Sequence, residues 1–207
     1  MRKLLYSIIT FIVFFNSYSQ EVYFLTGSNF TKYNFNSSQD VVSSIPLQVG
    51  SGTSYEMGYM RPLKYKHFSH TIGVNLNEYN AFAGNGINNY KWNTKYFGIN
   101  NSLDYTINLT NNFNLLLNAG INLSTIMYGK QDINGAYFNL VKQDEFSGVT
   151  FIPYSGLHIK YKLNNLGYLS FGYGISKSLI LFNISQEKLT NTTNKILFGI
   201  HFNINKK

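Results

Sequence analysis

The candidates for acid–base chemistry in this chain are four histidines, His67, His70, His158 and His201, with six of its nine carboxylates, Glu56, Glu78, Asp104, Asp132, Asp144 and Glu145. A histidine acts as a general base when a nucleophile or water, and an orienting carboxylate, lie within hydrogen-bond reach. No spacing in this sequence supplies such a set. There is no short nucleophile motif, and serine is too frequent for any one to stand apart. His67 and His70 adjoin a short turn, where amphipathic rings mark an interface, and His70 shares the face of Phe68 and Ile72. The oxygen-rich stretch 129–148 carries Asp132, Asp144 and Glu145 among Gln131, Asn134 and Asn139. Its spacing lacks the alternating ligands and central glycine of an EF-hand. These residues predict no catalytic centre, no cofactor and no metal.

The elements that hold them are strands. Residues 196–205 put Ile196, Phe198, Ile200, Phe202 and Ile204 on one face. Gly199, His201, Asn203 and Asn205 take the other, with Leu197 the exception. A period of two is a β-strand. One face is wholly lipophilic and the other small or polar, as expected where lipid lies outside and a polar lumen inside. A secreted soluble barrel, the alternative, would turn the apolar faces inward.

The N-terminus reads as an export signal. Met1, Arg2 and Lys3 precede an apolar run from Leu4 to Phe15, and Ser17-Tyr18-Ser19 supplies small residues for cleavage before Gln20. The run is short of the roughly 20 apolar residues that span a bilayer. The expected domains are a signal peptide, 1–19, and a barrel, 20–207. Removal of the signal lowers the formal charge from +8 to about +6. The lysines are scattered and Arg61 is the only mature arginine, which excludes a nucleic-acid partner. There is no cysteine, so stability must come from the fold itself.

Eight alternating segments follow, at 22–31, 53–62, 67–79, 92–107, 113–128, 149–163, 167–181 and 196–205. The breaks between them run long, short, long, short, long, short, long. Short turns at one end and long loops at the other are the signature of an outer-membrane barrel with both termini in the periplasm. The predicted fold is therefore all-β: an eight-stranded antiparallel up-and-down transmembrane barrel. In the third long break, Lys-Gln-Asp occurs at 130–132 and again at 142–144, which predicts a hairpin pairing the two copies.

Parity assigns faces. Glu56, Asp104, His158, Lys160, Lys162 and His201 point inward, as do Tyr96, Tyr154 and Gly58, Gly73, Gly98, Gly120, Gly156, Gly172 and Gly199. Buried charges of both signs must pair, so the expected lumen is a salt-bridged plug with Lys160 opposite Glu56 or Asp104. Such a barrel is no general pore. Tyr55, Tyr59, Trp92, Tyr105, Tyr128, Tyr161 and Tyr168 are expected to form aromatic girdles at the rims.

Short motifs carry a resemblance. Gly27-Ser28-Asn29-Phe30, Ser54 to Tyr59, Tyr96 to Ile99, Leu103-Asp104-Tyr105 and Asn118 to Ile121 resemble small outer-membrane β-barrels of the porin-like, PorT-like branch, with the OmpA/OmpX-type fold. The family usually ends on an aromatic residue read by the barrel-assembly machinery; here Phe202 is followed by Asn-Ile-Asn-Lys-Lys. The expected role is structural or surface-interacting and non-catalytic, in the outer membrane of a Gram-negative bacterium. Its expected partners are outer-membrane lipid and lipopolysaccharide, the assembly machinery, and a protein or glycan at the external loops. The resemblance alone implies a second reading, an accessory of protein secretion. A lipid-modifying enzyme is a third.

Overall fold

The computed structural model describes residues 20–36, 47–84, 89–141, 143–144, 146–163, 166–179 and 188–204. The proposed signal peptide, Lys142 and Glu145 lie outside them. Among the described residues nine strands run in chain order: β1 (Gln20–Asn36), β2 (Gln48–Pro62), β3 (Phe68–Gly84), β4 (Asn89–Asn108), β5 (Phe113–Ile133), β6 (Ala136–Asn139), β7 (Val149–Leu163), β8 (Gly167–Lys177) and β9 (Lys188–Ile204). Each pairs antiparallel with its neighbours, and β1 pairs with β9. Eight strands thus close into a ring, and β6 is a short addition to β5. Within the eight-stranded ring, closure leaves no sheet edge, so backbone donors and acceptors are satisfied within the wall.

Alternation sets the faces as expected. Outward on β5 are Phe113, Leu117, Ile121 and Leu123; inward are Leu116, Asn122 and Ser124. On β9, Ile196, Phe198, Ile200, Phe202 and Ile204 are exposed, while Leu197 and His201 are buried. Leu197, odd in the linear pattern, packs inside against Tyr23 and Leu25. The exposed apolar residues form a continuous belt. Along β5 it runs from Phe113 to Leu123; with strands tilted by about 40°, that is a band roughly 25 Å tall.

The strands outrun this belt at the long-loop end. The segment 188–194, expected as loop, is the first part of β9 and pairs with residues 30–36 of β1. Its polar Thr190, Thr192 and Thr193 hid it, yet threonine is a good strand former and Leu189, Asn191 and Thr193 keep the inward beat. Likewise β3 continues to Gly84 and β4 starts at Asn89, so the expected break there is short. The β5–β6 hairpin turns at Asn134-Gly135, both with positive φ (50° and 86°), as a two-residue hairpin loop requires. Its register differs from expectation: residues 130–132 pair with 137–139, not with the second Lys-Gln-Asp. A bulge at Met127, between Lys95↔Tyr128 and Tyr96↔Ile126, shifts the parity of β5 before this hairpin.

Candidate functional site

The interior is divided into two halves. At the end of the short turns it is charged. Lys160 on β7 donates to Glu21 on β1 at 2.5 Å, and His201 Nδ1 on β9 lies 3.3 Å from the same carboxylate. The Lys160 ammonium sits 4.5 Å from the Tyr168 ring centre, and Tyr23 stacks on His201 at 5.6 Å. One layer deeper, Glu56 accepts from the Tyr23 hydroxyl at 2.8 Å and from Asn100 Nδ2 at 2.7 Å. Asp104 accepts from Thr71 and, at 3.0 Å, from Ser102. His158 is buried, its ring 3.5 Å from Asn118 Nδ2 and against Gly172.

This corrects the expected pairing. Lys160 meets Glu21, and neither Glu56 nor Asp104 forms an ion pair with it. Hydroxyl and amide donors already satisfy both carboxylates, whereas Glu21, one residue before the expected first strand, completes the inward row of Tyr23 and Leu25. Lys162, of the same parity as Lys160, is exposed at the rim.

A second grouping escaped the sequence entirely. Ser170 Oγ lies 3.0 Å from His201 Nε2, and His201 Nδ1 faces Glu21. Hydroxyl, imidazole and carboxylate in that order have the connectivity of an acyl-transfer triad. The surroundings argue otherwise. Ser170 and His201 are buried, Glu21 is committed to Lys160, and neither described cavity touches Ser170. Neither of these cavities gives a substrate carbonyl a seat beside the hydroxyl, and the row ties β8, β9 and β1 together. Only its inward parity marks Ser170 in the sequence.

Toward the long-loop end, Lys195 of β9 donates to Asn77 at 2.9 Å, within an amide network of Asn29, Ser54, Asn75 and Asn122. Above it the filling turns apolar. Tyr33, Tyr79, Tyr96, Ile126, Ile152 and Leu189 pack with Leu140 and Phe146, which the segment after β6 folds into the mouth. Trp92 joins them edge-on, 5.3 Å from both Tyr33 and Phe146. Two cavities lined by described residues hold about 40 and 20 Å³. The larger, lined by Asn100, Asn118, Asn122, Glu56 and Lys195, is of a size for about three waters.

No family model matches the chain, and no curated protein is similar to it in sequence. Solved structures are. Neisserial surface protein A is 14% identical, with 87% of this chain and 96% of that one covered and a TM-score of 0.51. The outer membrane protein OprG from Pseudomonas aeruginosa is 14% identical over 89% of this chain and 96% of that one, with a TM-score of 0.53. At this identity the likeness concerns the fold. The fold is that of an outer-membrane β-barrel.

In such a barrel the exposed apolar belt is the lipid-facing surface. Tyr55, Tyr59, Tyr105, Tyr128 and Tyr161 lie on its outward faces, Tyr105 against Phe68 at 4.9 Å and Tyr161 against Phe113 at 5.1 Å. Two of the expected girdle residues do not. Trp92 belongs to the aromatic plug, its ring edge-on to Phe146 and Tyr33 on the inward face of β4. Tyr168 faces the lumen, where the Lys160 ammonium lies over its ring. Among the described residues no group of three or more His, Cys, Asp or Glu side chains is placed to hold a metal ion.

Proposed function

We propose that this protein is a non-catalytic outer-membrane barrel with a structural or surface-interaction role, and that its lumen is not a general pore. One observation carries the reading: along the described interior the lumen is occupied by the Lys160–Glu21 pair and hydrogen-bonded carboxylates below, an amide network between and an aromatic plug above. The same filling disfavours passage of a secreted chain through the barrel. The strand pattern and the export signal support the outer membrane of a Gram-negative bacterium, with the termini and short turns periplasmic. Lipid and lipopolysaccharide then surround the belt. The assembly machinery acts on β9, where Phe202 stands in for a terminal aromatic, and the long-loop end is the surface for a protein or glycan partner.

Planar-bilayer recording of the refolded protein tests the filled lumen. The expected result is no sustained conductance steps, with liposomes that stay impermeable to small sugars. Stable open-channel steps in the unmodified protein would refute it.

A further inference from the structure

Ring closure brings two distant lysines onto one row of the wall. Thr192 of β9 pairs with Lys32 of β1 on one side and with Lys177 of β8 on the other. All three share the outward face; both lysines are exposed and Thr192 is half-buried between them. Neighbouring strands are about 4.8 Å apart, so the lysine Cα atoms are about 10 Å apart across β9. Two four-carbon side chains close that gap easily.

On β1 and β9 the row sits where the apolar belt ends, and just past β8 a single exposed leucine, Leu179, lies one row beyond it. The next outward row toward the turns is Phe30, Asn194 and Ile175, and the one after it contains Ile196 and Tyr173. Two residues along a tilted strand raise the lysines about 5 Å above Phe30 and Ile175. That is headgroup depth. Lys95, at the same end of the barrel, is neutralised by Glu78 at 2.9 Å. Among the described residues, Lys32 and Lys177 have no carboxylate in ion-pair range. Two like charges held side by side at the border of hydrocarbon call for an anion between them, and a hydroxyl stands at that point.

We propose that Lys32, Thr192 and Lys177 clamp the phosphate of a phosphorylated lipid in the leaflet around the long-loop end. The two ammonium groups neutralise the phosphate and the Thr192 hydroxyl donates to a third oxygen, while the acyl chains lie along Phe30, Ile175, Ile196 and Phe198. The site rests on the membrane reading above and adds to it a defined lipid contact.

The test is native mass spectrometry of the full mature chain released from nanodiscs containing bis-phosphorylated lipid A, or lipid A stripped of phosphate. The unmodified protein should retain the phosphorylated form selectively. Lys32→Ala with Lys177→Ala should weaken retention about thirtyfold, the worth of two lysines at an anionic headgroup surface. Lys32→Met or Lys177→Met alone should lose part of it, and Lys64→Ala with Lys66→Ala, on a short turn, should lose none. Equal retention of both lipids, or equal loss in the turn variant, would overturn the clamp. Each sample is also checked for its gel shift on boiling. A protein that inserts and shifts but ignores phosphate refutes the clamp alone, and one that never inserts refutes the membrane reading with it.

Discussion

Removing the Lys160 ammonium should destabilise the barrel severely, and removing its partner as well should restore most of the loss. The Lys160 and Glu21 side chains are 4% and 15% exposed and 2.5 Å apart. At an effective dielectric of about 20, that separation corresponds to about 6–7 kcal/mol of attraction, before the cost of taking both charges out of water. Lys160→Met leaves the Glu21 carboxylate desolvated, with only His201 at 3.3 Å to share it. Breaking a buried pair in this way costs about 3–5 kcal/mol. The double variant, Glu21→Gln with Lys160→Met, leaves no buried charge from the pair and should fall within about 1–2 kcal/mol of the unmodified protein. Equilibrium urea unfolding in lipid vesicles measures both, read by the chain's single tryptophan, Trp92. Interpretation requires an unchanged slope with denaturant. The reasoning fails if Lys160→Met lies within about 1 kcal/mol of the unmodified protein, or if the double variant is no better than the single.

Other substitutions probe other parts of the wall and lumen. Phe198, 59% exposed on the belt, should tolerate arginine within about 0.5 kcal/mol if it faced water, whereas a lipid-facing site should lose about 2–4 kcal/mol; vesicle unfolding separates the two. Phe146→Ala should open the plug at a cost of about 3 kcal/mol and shift Trp92 emission to longer wavelength, and an unshifted spectrum would place the segment elsewhere. A Cβ at Gly172 would collide with the His158 ring, so Gly172→Ala should cost about 1–3 kcal/mol, and His158→Ala in the same chain should recover part of it. A fluorophosphonate probe should leave the folded protein unlabelled; labelling that Ser170→Ala abolishes would turn the Ser170, His201 and Glu21 row into a working triad.

Much of the architecture was legible because a barrel wall is a local pattern. Side chains alternate along any strand, so lipid and lumen faces could be read one segment at a time, and the tight turns after Pro62 and Asn108 could be placed. Strand ends at the loop side were not legible. There backbone pairing continues beyond the lipid belt, and Thr190 to Asn194 carry no apolar stripe to announce it. Trp92 and Tyr168 were misplaced for a related reason: an aromatic ring near a strand end serves an interface or a core equally well, and only its neighbours choose.

The lumen contacts obey a different logic. Inward parity placed Glu56, Asp104, His158, Lys160 and His201 inside, but it said nothing of height or of which strands face one another across the ring. Those depend on register, tilt and closure. Glu21 and Lys160 are 139 residues apart in the chain, and they meet because a narrow barrel brings opposite walls within side-chain reach. Lys32 and Lys177 become neighbours only once β9 slots between β1 and β8. Local alternation specifies which face a residue occupies; the closed ring specifies its partners, because partnership across a lumen is a property of the whole circumference.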